Sequence, residues 1–144
     1  MMKPDFIILH HSLTKDSETL SWNAIRRYHM SQLGMKNIGY HFGIEHIRDS
    51  HEILMGRMPN ERGAHTKGHN GNTIGICFIG NFDEAPPSEQ HWNLGITLVR
   101  SLCSIFDIST KAVRGHHEFA DYKTCPGKLF DIERFRYELD HLTT

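Results

Sequence analysis

Four residues within one loop-sized span, Val113 to Gly127, could do chemistry together: His116, His117, Lys123 and Cys125. The span reads V-R-G-H-H-E-F-A-D-Y-K-T-C-P-G. Imidazole nitrogen and thiolate sulfur are both ligands that zinc accepts. A lysine beside them places positive charge where negative charge could develop in a reaction. The gap from His116 to Cys125 is not a zinc-finger spacing, and no C-x-x-C pair occurs in the chain. On these residues alone, an incidental His-His pair near a cysteine and a metal site both stay open.

The elements around this span supply further candidates. Phe6-Ile7-Ile8-Leu9 is a continuous apolar run that reads as a central strand covered on both faces. It ends in His10-His11-Ser12, and ligands in open α/β sheets gather at strand ends. Ala112 to Arg114 reads as a short strand delivering His116, with Gly115 as the turn after it. Gly56 to Asn72 is a long irregular connection carrying His65, Lys67, His69 and Asn70. Connections of that length are functional or mobile more often than not. Its glycines match no phosphate-binding fingerprint.

The remaining pattern is that of a mixed sheet. Residues 21–33 read as a helix with Ser21 as N-cap, Trp22, Ile25, His29 and Leu33 on one face, and Gly34 as the stop. Trp22 and Tyr28 read as packing residues. Ile38 to Ile47 reads as a strand in which Tyr40, Phe42 and Ile44 alternate with His41, Gly43 and Glu45. Alternation assigns Tyr40 to the core. Arg48-Asp49-Ser50 is a turn, and His51 to Met55 is the return strand. Thr73 to Ile79 is a second buried strand. Ser88 caps a helix that runs to about Phe106. Asp131 caps a last helix, with Phe130 and Phe135 in the staple positions and Ile132, Phe135 and Leu139 on its apolar face. The order implies an α/β fold, a mixed β-sheet of about five to six strands with helices on both faces.

Composition narrows the class. A chain of 144 residues is expected to form one domain, 1–144, able to build a core without staples. A net charge of −1 argues against a nucleic-acid partner. Twelve histidines is a high count and favours metal binding. Three cysteines exclude a pure disulfide framework. Cys77 and Cys103 read as small buried hydrophobes, whereas Cys125 sits in a polar loop. No stretch reads as a signal peptide or a membrane span, so synthesis in the cytoplasm without membrane insertion is expected.

Six stretches in register resemble one family, over about residues 6–135. They are I-I-L-H-H-S-L-T (7–14), I-R-R-Y-H (25–29), I-G-Y-H-F-G-I (38–44), G-R (56–57), G-A-H-T-K-G-H-N-G-N-T-I-G-I-C-F-I-G (63–80) and G-H-H-E-F-A-D-Y-K-T-C-P-G (115–127). The chain resembles the type 2 N-acetylmuramoyl-L-alanine amidases, which share their fold with peptidoglycan recognition proteins. It looks most like the single-domain amidases of bacteriophages.

The resemblance implies one Zn2+ per chain, held by His10, His116 and Cys125, with His11 and His117 in supporting positions. Three protein ligands leave the fourth position to water, the catalytic arrangement. The implied reaction is hydrolysis of the amide between N-acetylmuramic acid and L-alanine in peptidoglycan. Lys123 would stabilise the oxyanion, and Tyr40 would position water or relay a proton, which overrules its core reading. His65, Lys67, His69 and Asn70 match the cleft wall and would contact the stem peptide or glycan. A monomer acting on the cell wall is expected. Cytosolic recycling amidases carry a glutamate where this chain has Cys77, which favours the phage-lysin branch. Two rivals remain. A non-catalytic recognition module typically lacks the cysteine ligand. A glycosidase would use paired carboxylates, for which Glu118 and Asp121 are the obvious acids.

Overall fold

The computed structural model describes residues 1–14 and 21–141. Along the chain lie β1 (Phe6–His11), α1 (Ser21–Ser31), β2 (Phe42–Ile47), β3 (Ser50–Met55), β4 (Thr73–Phe78), α2 (Glu89–Phe106), β5 (Val113–Gly115) and α3 (Ile132–His141). The strands form one sheet in the order β3-β2-β4-β1-β5. β2, β4, β1 and β5 run parallel, and β3 returns antiparallel along β2.

The sheet separates two environments. Ile7 and Leu9, Phe42 and Ile44, and Ile74, Ile76 and Phe78 face α2 and α3 in one apolar cluster. From α2 that cluster takes Trp92, Ile96, Val99 and Leu102; from α3 it takes Ile132, Phe135 and Leu139. Both helix starts behave as their sequences imply. The Ser88 hydroxyl accepts the His91 N–H at 3.2 Å, and the Asp131 carboxylate accepts the Arg134 N–H at 3.0 Å. Phe130 and Phe135 close the staple with ring centroids 5.6 Å apart.

The opposite face holds a smaller cluster around Trp22, Ile38, Cys77 and Ile79, with the indole of Trp22 lying over Gly43. Here α1 begins without the expected Ser21 cap. Ser21 is itself the first helical residue, and its N–H donates to the Glu45 carboxylate at 2.6 Å. The Trp22 N–H reaches the same carboxylate at 3.2 Å. Glu45 is fully buried, so a strand residue from the sheet supplies the acceptor and the negative charge that a helix N-terminus favours.

Three further expectations change. β2 starts at Phe42, not Ile38. The carbonyls of residues 38–40 instead hold the following connection: Ile38 accepts from the Arg57 guanidinium at 2.9 Å, and Gly39 and Tyr40 accept from Ala64 and Arg57 N–H groups at 3.0 Å each. α1 ends at Ser31, and Gly34 at φ +68° turns the chain away, so Leu33 is exposed rather than on a packed face. Tyr28 is likewise exposed. Ser50 belongs to β3, leaving Arg48-Asp49 as a two-residue hairpin turn.

Candidate functional site

The register between β1 and β5 builds the site. Leu9 pairs with Gly115, so the next residues, His10 and His116, leave neighbouring parallel strands side by side. Their ring centroids are 4.5 Å apart. Gly115 is not the turn that its sequence position implies; its backbone is extended, at φ −82° and ψ 151°. What it provides is space, because a Cβ there would lie 2.6 Å from the His117 ring.

The loop after β5 brings Cys125 back to this corner. His117 anchors it: its backbone N–H and its ring Nδ1 meet the Cys125 carbonyl at 2.8 and 3.1 Å. The thiol sulfur accepts the His11 N–H at 3.3 Å. Candidate ligand atoms of His10, His116 and Cys125 all lie within 4.8 Å of one another. His10 Nδ1 is 3.7 Å from Cys125 Sγ. Tetrahedral zinc with ordinary Zn–N and Zn–S bonds separates its nitrogen and sulfur ligands by about 3.6 Å. The donor set and its spacing therefore fit that ion. His11 turns to the other side of the sheet, where its Nδ1 accepts the Phe82 N–H at 3.1 Å.

Burial sets the charge states. It pushes His10 well below the usual imidazole range, with the neighbouring His65 and His116 adding to the effect. Burial, then Lys123, brings His116 down to about 4. Both rings are neutral near pH 7 and present lone pairs. Cys125 is pushed up to about 12 by burial, against the His11 N–H and Lys123 that favour its thiolate. A cation seated there must displace the thiol proton.

Tyr40 packs against the smaller cluster of Trp22, Ile38, Cys77 and Ile79, not in the larger one that holds its alternation partners Phe42 and Ile44. Its ring lies 5.1 Å from that of His10 and 6.4 Å from that of His65. Burial, then Cys77 and Cys125, holds its hydroxyl well above the ordinary tyrosine range. It is a proton donor at any physiological pH. Lys123 is exposed at the lip of the cleft.

The four residues of the long connection separate. His65 lies behind His10, with Nδ1 2.9 Å from His10 Nε2. Asn70 holds the loop, its Oδ1 accepting the N–H groups of His65 and Thr66 at 3.0 and 2.9 Å. Lys67 lines the cleft wall. His69 packs on Phe119, centroids 4.6 Å apart, outside the cleft lining. The contribution of Thr66, buried beside His10 with Oγ1 3.3 Å from its Nε2, carries no sequence signal of its own. Glu118 is held in a network with Gly115 N–H at 3.0 Å and the Arg136 guanidinium at 2.8 Å. That network gives it a structural role and removes the carboxylate pair a glycosidase needs.

The cleft bounded by these residues is lined also by Ser12, Leu13, His29 and Met35, and no carboxylate lines it among the described residues. The family profile for N-acetylmuramoyl-L-alanine amidases matches residues 1–128. The chain belongs to that family. It is a peptidoglycan amidase. Among its relatives is the endolysin of Escherichia phage T7, 34% identical over 145 residues, covering 97% of this chain and 89% of the endolysin. The endolysin of Enterobacteria phage T3 is also 34% identical, over 96% of this chain and 88% of its own length. The solved structure of the amidase LysC from Clostridium intestinale URNW superposes with a TM-score of 0.83 at 30% identity, covering 96% of this chain and 87% of LysC. Among the described residues, no helix is long and apolar enough to cross a membrane.

Proposed function

We propose that this amidase hydrolyses the bond between the lactyl group of N-acetylmuramic acid and L-alanine with one zinc ion held by His10, His116 and Cys125. The convergence of those three side chains, with His10 Nδ1 3.7 Å from Cys125 Sγ, carries the reading. A zinc ion there supplies a Lewis acid and an acidified water.

The chain's own residues do the rest. His10 and His116 arrive neutral, so neither loses a proton to become a ligand. Lys123 places an ammonium at the lip of the cleft, where the tetrahedral intermediate's oxyanion forms. Tyr40 beside His10 acts as a hydrogen-bond donor, because its raised pKa excludes a general-base role near neutrality. Lys67 on the cleft wall contacts the stem peptide. His65 and Asn70 line the cleft beside it and also hold that wall in place through their hydrogen bonds. The cysteine ligand favours turnover over pure recognition, and Cys77 leaves no glutamate base at the floor of the site.

The test pairs metal analysis of the purified protein with mass analysis of digested peptidoglycan. One zinc per chain and stem peptides beginning with L-alanine are expected. Zinc without cleavage would instead make the protein a binder, and new reducing sugar ends would make it a muramidase.

A further inference from the structure

The hydrogen bonds behind His10 form a directed chain. Thr73 Oγ1 donates its single proton to the His69 carbonyl at 2.7 Å. Toward His65 Nε2, 3.2 Å away, the same oxygen can only accept. The His65 proton is therefore on Nε2. Among the described residues no carboxylate hydrogen-bonds to the His65 ring, so near pH 7 the imidazole carries that one proton and its Nδ1 is a bare lone pair. That lone pair faces His10 Nε2 at 2.9 Å. Two lone pairs at that distance repel, so His10 Nε2 must carry the proton. His10 Nδ1, the nitrogen aimed at Cys125, is then the unprotonated one.

We infer that Thr73 and His65 are positioning residues which fix the tautomer of His10 and so aim a lone pair at the metal position, before any metal arrives. The inference rests on the zinc reading above for its purpose, but not for its hydrogen-bond logic. Ligand histidines gain orientation and basicity when the other ring nitrogen donates to a fixed acceptor. Here the acceptor is a second imidazole, itself set by a hydroxyl. The local fold is built for it. Thr73 and Gly75 share one face of β4, and a Cβ at Gly75 would lie 2.5 Å from the His65 ring. Thr66 Oγ1, 3.0 Å from His65 Nδ1 and 3.3 Å from His10 Nε2, is compatible with this order, donating to the first and accepting from the second.

The test is long-range proton–nitrogen NMR on the histidines of the metal-free protein near pH 7, alongside zinc affinity by competition with a chelating dye. In the wild type, His10 and His65 are both expected as the Nε2–H form. Thr73→Val removes the acceptor without changing the shape; it should give a mixed or Nδ1–H signal at His10 and weaken zinc by about 10- to 100-fold. Thr73→Ser should restore both readouts to wild-type values. A wild-type His10 protonated on Nδ1 overturns the inference. So does a folded Thr73→Val protein with unchanged tautomers and unchanged zinc affinity. If the wild type shows the expected tautomers yet binds no zinc, the relay stands and the metal reading fails.

Discussion

The two faces of β4 do opposite jobs with one apolar-looking string. Ile74, Ile76 and Phe78 look toward α2 and α3 and are wholly buried among hydrocarbon and rings. Thr73, Gly75 and Cys77 look the other way, where a small apolar cluster of Trp22, Ile38 and Ile79 shares the interior with buried polar groups: His10, His41, Glu45, Arg57 and Thr66. On the packed face, free energy comes from area and close fit, which any neighbour of the right volume can supply. On the cleft face each buried polar group needs a particular partner. His41 shows the pattern: Nδ1 accepts the Gly75 N–H at 2.9 Å, and Nε2 lies 2.7 Å from the Glu61 carbonyl. The packed face holds the sheet against its helices, and the cleft face uses that support to aim side chains.

Substitutions can separate the two jobs. Cys125→Ser or His10→Ala should abolish cell-wall lysis and zinc binding together while the fold remains; an active, zinc-free variant would sink the site. Tyr40→Phe should retain zinc and lose on the order of 10²-fold in kcat, the scale of a lost transition-state donor; unchanged turnover would return Tyr40 to a packing role. Phe135→Ala, on the other face, should cost about 3–5 kcal/mol in denaturant unfolding and leave the activity of the folded fraction intact. A loss of activity per folded molecule would show that the faces are not separable.

Acid should weaken the molecule through its buried imidazoles. Burial, then His51, lowers His91 to about 4. The unfolded chain thus takes up protons between about 6.5 and 4 that the folded chain refuses. Stability from this group is complete above about 6.5 and is lost as pH falls toward about 4, by on the order of 3 kcal/mol. Unfolding curves at pH 7 and pH 4.5 measure the slope. His91→Gln, which keeps a donor for the Ile44 carbonyl 3.1 Å away, should flatten it.

A smaller effect concerns metal uptake. Because the Cys125 thiol holds its proton up to about 12 in the absence of a cation, zinc binding should release about one proton and tighten with rising pH. Calorimetry in buffers of different ionisation enthalpy reads the release directly, and a proton count of zero would place the thiolate in the metal-free state.

Periodicity and punctuation made much of the fold legible. Phe6–Leu9 and Thr73–Phe78 are strands because continuous β-branched and aromatic runs suit positions covered on both sides. α2 and α3 begin at Ser88 and Asp131 because a short side-chain oxygen there satisfies a free helix N–H. The resemblance of six short stretches pointed to His10, His116 and Cys125 as a group, and the structure brings those three to one corner. Local pattern could not reveal that Glu45 caps α1 or that residues 38–41 leave the strand, since both depend on partners far along the chain. The same holds for His65. Its sequence neighbours place it on a loop, and only the sheet register, setting β4 beside β1, puts its lone pair against His10. Residue types determined which donors, acceptors and ligands were available. Tertiary structure decided which of them meet, because a hydrogen bond or a ligand pair exists only at a distance that the backbone of other elements must enforce.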